Sequence, residues 1–135
     1  MFKILIAFIL LSAPASAQIF NTTIYDIVHD IATIQQVTRS VFAPEINYRE
    51  LSAQRITPEL DTSWRIQSGL IQHNGVNYKI QGQGVLNQWS LTVFNLNRES
   101  CQIISQIDFG TGVLAMNINK DNRCQDNNQV TLHLL

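Results

Sequence analysis

The stretch TIYDIVHDIATIQQVTRSVF limits the fold of this chain more than any other part of it. Ile24, Ile27, Val28, Ile31, Ile34, Val37 and Val41 recur at three- and four-residue steps, so a helix gathers them into one apolar stripe. Thr22 or Thr23 can cap its start. Asp26 and Asp30 bring negative charge to the N-terminal half, where the helix dipole favours it. Pro44 marks the far boundary, because the residue before a proline avoids helical geometry. The spacing predicts an amphipathic helix of about five turns. Its stripe needs cover, and a sheet is the natural partner.

The residues that follow have strand texture. A polar connector between Pro44 and Pro58 holds NYRELSAQ, long enough for a short helix, and then an extended Ile56-Thr57-Pro58. In LIQHNGVNYKI the Asn74-Gly75 pair predicts a hairpin, since both residues tolerate positive φ. Val76, Tyr78 and Ile80 alternate with Asn77 and Lys79, as a half-buried strand requires. QGQG reads as a loop. WSLTVFNL reads as a strand with Trp89, Leu91 and Val93 on one face.

NRESCQIISQI predicts a short helix capped by Asn97, with Glu99 in its first turn and Cys101, Ile104 and either Ile103 or Ile107 facing inward. DFGTG is a turn and VLAMNI a strand. KDNRCQDNN is a polar loop, and QVTLHLL is a closing strand in which Val130, Leu132 and Leu134 alternate with Thr131 and His133. The class is α+β: a long N-terminal amphipathic helix packed on an antiparallel sheet of about four to five strands. No internal repeat or low-complexity tract interrupts it.

Ahead of the helix stands MFKILIAFILLSAPASAQIF. Lys3 precedes an apolar run from Ile4 to Leu11, too short for the roughly 20 residues of a spanning helix. Pro14 breaks the run, and Ala15-Ser16-Ala17 offers the small residues of a cleavage site. The expectation is a signal peptide over residues 1–17, cut after Ala17, leaving a single domain over 18–135 with no membrane span after processing. Removing 17 of 135 residues leaves 118, enough for one core. The product is periplasmic or secreted. In that compartment an even cysteine count reads as a disulfide, Cys101 to Cys124. Metal binding would want more Cys or His at short fixed spacing.

Composition narrows the partners. Charged residues are 14% of the chain, against roughly a quarter in ordinary domains, and 13 Gln and 12 Asn fill the gap. The net charge of −1 offers no attraction to nucleic acid or an anionic membrane.

Candidate chemistry is sparse. His29 lies between Asp26 and Asp30, but such residues on the first turns of a helix read as a solvated face. His73 adjoins the Asn74-Gly75 turn and His133 lies on the outward side of the last strand, neither with a nucleophile nearby in sequence. No metalloprotease, nucleophile-elbow or phosphate-loop motif occurs. The glycines of GQG, Gly82 and Gly84, read as turn glycines. Trp64 and Trp89 read as packing aromatics. The sequence predicts no cofactor, no metal and no enzymatic activity, although a triad assembled in space leaves no mark on sequence order.

Three stretches carry a resemblance to the globular part of type IV pilins, particularly the type IVb subclass. IQQVTRSVFAPEINYRELSAQRITPEL is similar to the end of the pilin spine helix entering its αβ-loop. WSLTVFNLNRESCQIISQI is similar to the passage whose cysteine begins the disulfide region. NRCQDNNQVTLHLL is similar to the second cysteine, polar loop and closing strand. Together they span about Ile34 to Leu134. A cleavable signal peptide stands where a pilin has its basic leader and apolar stalk, so the chain resembles a pilin head without its stalk.

That resemblance implies a non-enzymatic exported component of a type IV pilus or related secretion system. It would act by protein–protein contacts in biogenesis or as a minor pilin-like subunit. A generic exported binding module, an adhesin or inhibitor, is the alternative, and a small hydrolase ranks last. If the closing strand lies at a sheet edge, Gln129, Thr131 and His133 would receive a partner strand. Asp126 and Asn127, in the loop pinned by Cys124, would add selectivity. The first test is processing: N-terminal mass analysis of the exported protein should begin at Gln18, and a retained leader would overturn the expectation.

Overall fold

The computed structural model describes residues 24–45, 47–83 and 87–135. The proposed cleavage site, the Thr22/Thr23 cap and Gly84 lie outside them. Among the described residues helix α1 covers 24–42 and ends just before Pro44, where the sequence places its boundary. Ile24, Ile27, Ile31, Ile34 and Phe42 are buried, while Val28, Val37 and Val41 are half-buried on the flank. The buried face is therefore rotated from the purely apolar stripe. It takes in Asp30, Gln35 and Thr38, which share the helical level of the isoleucines.

A short helix α2 (Ala53–Ile56) and a 3₁₀ turn at Thr57–Glu59 occupy the connector, so Ile56-Thr57-Pro58 is helical and not extended as its sequence suggests. Ser52 caps α2 by accepting from the Arg55 amide. The sheet has six strands: β1 (Arg65–Gln67), β2 (Leu70–His73), β3 (Val76–Gly82), β4 (Trp89–Leu96), β5 (Val113–Ile118) and β6 (Asn128–Leu134). They lie in the order β1-β2-β3-β4-β6-β5, every neighbouring pair antiparallel. This exceeds the expected four to five because β1 joins as a second hairpin. Its turn, Ser68-Gly69, has φ of 53° and 77°, closely matching Asn74-Gly75 at 51° and 79°. Two residues at positive φ give the turn whose twist suits a two-residue hairpin.

Inner-facing Ile71, Tyr78, Ile80, Leu91, Val93, Val130, Leu132 and Leu134 meet Ile27, Ile31 and Ile34 of α1 in one cluster. Helix α3 (Arg98–Ile104) carries the chain from β4 across to β5 and is capped by Asn97, whose side chain accepts from the Ser100 amide. Cys101 and Ile104 face the core, Ile107 is half-buried and Ile103 is exposed. The disulfide Cys101–Cys124, with Cα atoms 5.8 Å apart, ties α3 to the loop before β6.

The condition under which β6 would receive a partner strand is not met: β6 lies between β4 and β5 and is paired on both sides. Alternation of apolar and polar residues shows which face is buried and says nothing about neighbours. QGQG does not loop out as a unit either, since Gln81 and Gly82 continue β3 against Ser90 and Trp89. Gly82 serves close approach there. A Cβ at this position would sit 2.0 Å from the Tyr48 carbonyl oxygen, where the connector crosses the strand. Tyr48 is held in turn between Phe42 and Trp89, with ring centroids 5.4 and 6.0 Å away. Gly82→Ala should therefore destabilise the domain by about 1–3 kcal/mol, as overpacking does. Urea denaturation checks it, and unchanged stability would mean that the connector does not hold this position.

Candidate functional site

Asp30 lies on the buried face of α1, and a carboxylate there needs partners for both oxygens. The sheet supplies them. His73 ends β2 on the same face as Ile71, and its Nδ1 lies 2.9 Å from Asp30 Oδ1. Tyr78, paired with Ile71 from β3, donates its hydroxyl to Asp30 Oδ2 at 2.7 Å. Burial first, and then the Asp30 charge, pushes the Tyr78 phenol well above its ordinary range, so it stays a donor. Trp64 stacks on the imidazole, centroids 4.0 Å apart and planes 3° from parallel.

The chain of polar contacts continues outward. Ser63 Oγ stands 3.0 Å from His73 Nε2, on the turn that leads into β1. That turn is closed by Asp61, whose Oδ1 accepts from the Ser63 amide at 2.9 Å and also from the Ser63 hydroxyl. The hydroxyl bond, then the amide bond, holds the Asp61 carboxyl below its usual range. Ser63 opens onto a depression of about 270 Å³ shared with Arg65, Gln72, Asn74 and Gly75.

Asp30, His73 and Ser63 are 43 and 10 residues apart along the chain, which is why sequence order did not unite them. The reading of Asp26, His29 and Asp30 as one solvated face is corrected: Asp26 and His29 are exposed, whereas Asp30 points into the core. The missed signal was spacing, since Asp30 stands three residues after Ile27 and four before Ile34. Among the described residues, no three His, Cys, Asp or Glu side chains gather as metal ligands would.

The residues singled out for binding are only partly brought together. Asn127 and Gln129 line a depression of about 160 Å³ with Phe94, Asn95, Asn119 and Asn128. Asn128 is structural, donating to the Leu96 and Gln125 carbonyls and accepting from Asn119. Asp126 pairs instead with Arg98 at 3.0 Å, beside a separate depression with Asn97 and Glu99. Thr131 bonds Thr92 at 2.9 Å, and His133 bonds Asn117 at 2.7 Å.

Among the described residues the sheet edges belong to β1 and β5. β1 is three residues long and carries Arg65. β5 is six residues long, VLAMNI, with no charged residue and with Leu114 half exposed.

No protein-family model, curated protein or solved structure matches the chain. The internal contacts make their own prediction. Asp30→Ala strips His73 and Tyr78 of their acceptor and should cost about 1–3 kcal/mol. Ser63→Ala, at an exposed turn, should stay within about 0.5 kcal/mol of the parent. Denaturant midpoints at neutral pH decide it, and equal effects of the two changes would reject the account.

Proposed function

We propose that this protein is an exported component of a type IV pilus or related secretion system that works by protein–protein contact, in biogenesis or as a minor pilin-like subunit. The reading draws on the three stretches that resemble pilin heads, together with a long helix on one face of an antiparallel sheet and a disulfide near the C-terminal end. One observation carries the mode of contact, the unequal protection of the two sheet edges. Edge strands present unpaired backbone groups, and proteins blunt them by shortness, charge, proline or a bulge. β1 is short and carries Arg65, while β5 has six residues, no charge and no proline, and its one such device is the bulge at Leu114 between Val113 and Ala115. β5 therefore takes the docking role that the sequence reading gave to β6, and the partner is an extended segment of a pilus-system subunit added as a further strand.

Purified protein should capture a pilus-system subunit from the exported fraction. Leu114→Lys should weaken that capture about tenfold or more without unfolding the domain, because Leu114 is already half exposed. Loss of the gene should reduce piliation or pilus-dependent secretion while growth stays normal. Normal pili in the deletion strain and no pilus protein in the capture would leave a generic exported binding module as the better reading.

A further inference from the structure

We propose that Ser63 is a nucleophile for acyl transfer, with His73 as its general base and Asp30 as the residue that positions the imidazole. The site lies at the β1 margin of the sheet, opposite the β5 edge, and is independent of any pilus partner. Three features support it. Distances of 2.9 Å and 3.0 Å place carboxylate, imidazole and hydroxyl in sequence on the two different ring nitrogens. Exposure rises along that sequence, from 3% for the Asp30 side chain through 15% for His73 to an open Ser63. The imidazole is fixed from its face by Trp64, and the second Asp30 oxygen is fixed by Tyr78, so neither group is free to turn away.

The protons can be followed atom by atom. Nδ1–H donates to Asp30, so Nε2 is the nitrogen that changes role. When Nε2 carries a proton it donates to Ser63 Oγ, and the Ser63 hydroxyl donates to Asp61, leaving the nucleophile idle. When Nε2 is bare, the hydroxyl turns from Asp61 to Nε2. Oγ then attacks an ester carbonyl carbon, its proton passes to Nε2, and the carbonyl π pair moves onto oxygen beside Arg65, the cation of the depression. Collapse expels the alcohol, which takes the proton from Nε2, and leaves an acyl-Ser63. Water attacks that ester, gives a proton to Nε2, and the acid departs as Oγ recovers its proton. A depression of about 270 Å³ lined by Arg65, Gln72 and Asn74 suits small polar esters with short acyl groups.

The test uses the exported protein and a fluorophosphonate probe, in which Ser63 Oγ forms the P–O bond as fluoride leaves. Intact mass and peptide mapping should show a single adduct at Ser63, formed faster as pH rises from 5 to 8, and none in Ser63→Ala. His73→Gln should slow labelling about 100-fold or more, the scale of a lost general base. Asp30→Asn should slow labelling and also move the midpoint of the pH profile downward, which a merely structural role would not do. p-Nitrophenyl acetate should be turned over above the Ser63→Ala control. No adduct at Ser63 in folded protein at pH 8, an adduct formed at the same rate in His73→Gln, or no turnover above that control would each overturn the proposal.

Discussion

The contact between α1 and the inner face of the sheet governs the molecule because it must satisfy an apolar and a polar requirement together. Ile27, Ile31 and Ile34 are buried against Ile71, Tyr78, Leu91 and Leu132, each full burial being worth about 1.5–3 kcal/mol at most. On the same helical face, Asp30 demands donors. A one-residue slip of β3 would turn Tyr78 outward and bring Asn77 or Lys79 inward, since strand side chains alternate. The slip would lose the core and leave the carboxylate without its phenol at once. Packing and hydrogen bonding therefore select the same register, and neither would hold it as firmly alone.

That coupling explains what could be read in advance. The stripe of α1 and its C-terminal end followed from apolar spacing and Pro44, and the β2–β3 hairpin from Asn74-Gly75, because both signals are local. The Cys101–Cys124 bridge followed from an even cysteine count read together with the expectation of export. β1 was missed because Ser68-Gly69 is a weaker hairpin signal than Asn74-Gly75, although the two turns have nearly the same backbone. Asp30 was misplaced because a period scored on apolar residues ignores a polar residue at the same spacing. The strand order was not legible for a different reason. β6 and β5 each carry a strand pattern, and only the path through α3 decides that the later strand inserts between β4 and the earlier one.

That path also divides the sheet into two margins with separate supports. Among the described residues, β5 pairs only with β6, whose entry is held by Asn128 and by the loop that Cys124 fastens to α3. On the other side, among the same residues, β1 pairs only with β2, and the turn before it is joined to α1 through Ser63, His73 and Asp30. One brace is covalent and the other is a chain of hydrogen bonds. The disulfide restricts the unfolded chain whatever the solution conditions short of reduction, whereas the polar chain depends on the protonation of its members.

The two proposed tasks make different demands on these margins. A docking edge needs a strand whose outer backbone stays available and whose position does not vary, and a strand braced through its neighbour by a covalent bridge meets that need. A proton-transferring site needs groups that change state without loss of position. His73 is held in position because Trp64 and Asp30 restrain the ring through its face and one nitrogen, leaving Nε2 turned toward Ser63. Exchanging the supports would fail on both counts. A disulfide has no proton to move, and a hydrogen-bonded brace under β5 would hold the edge less firmly than a covalent one.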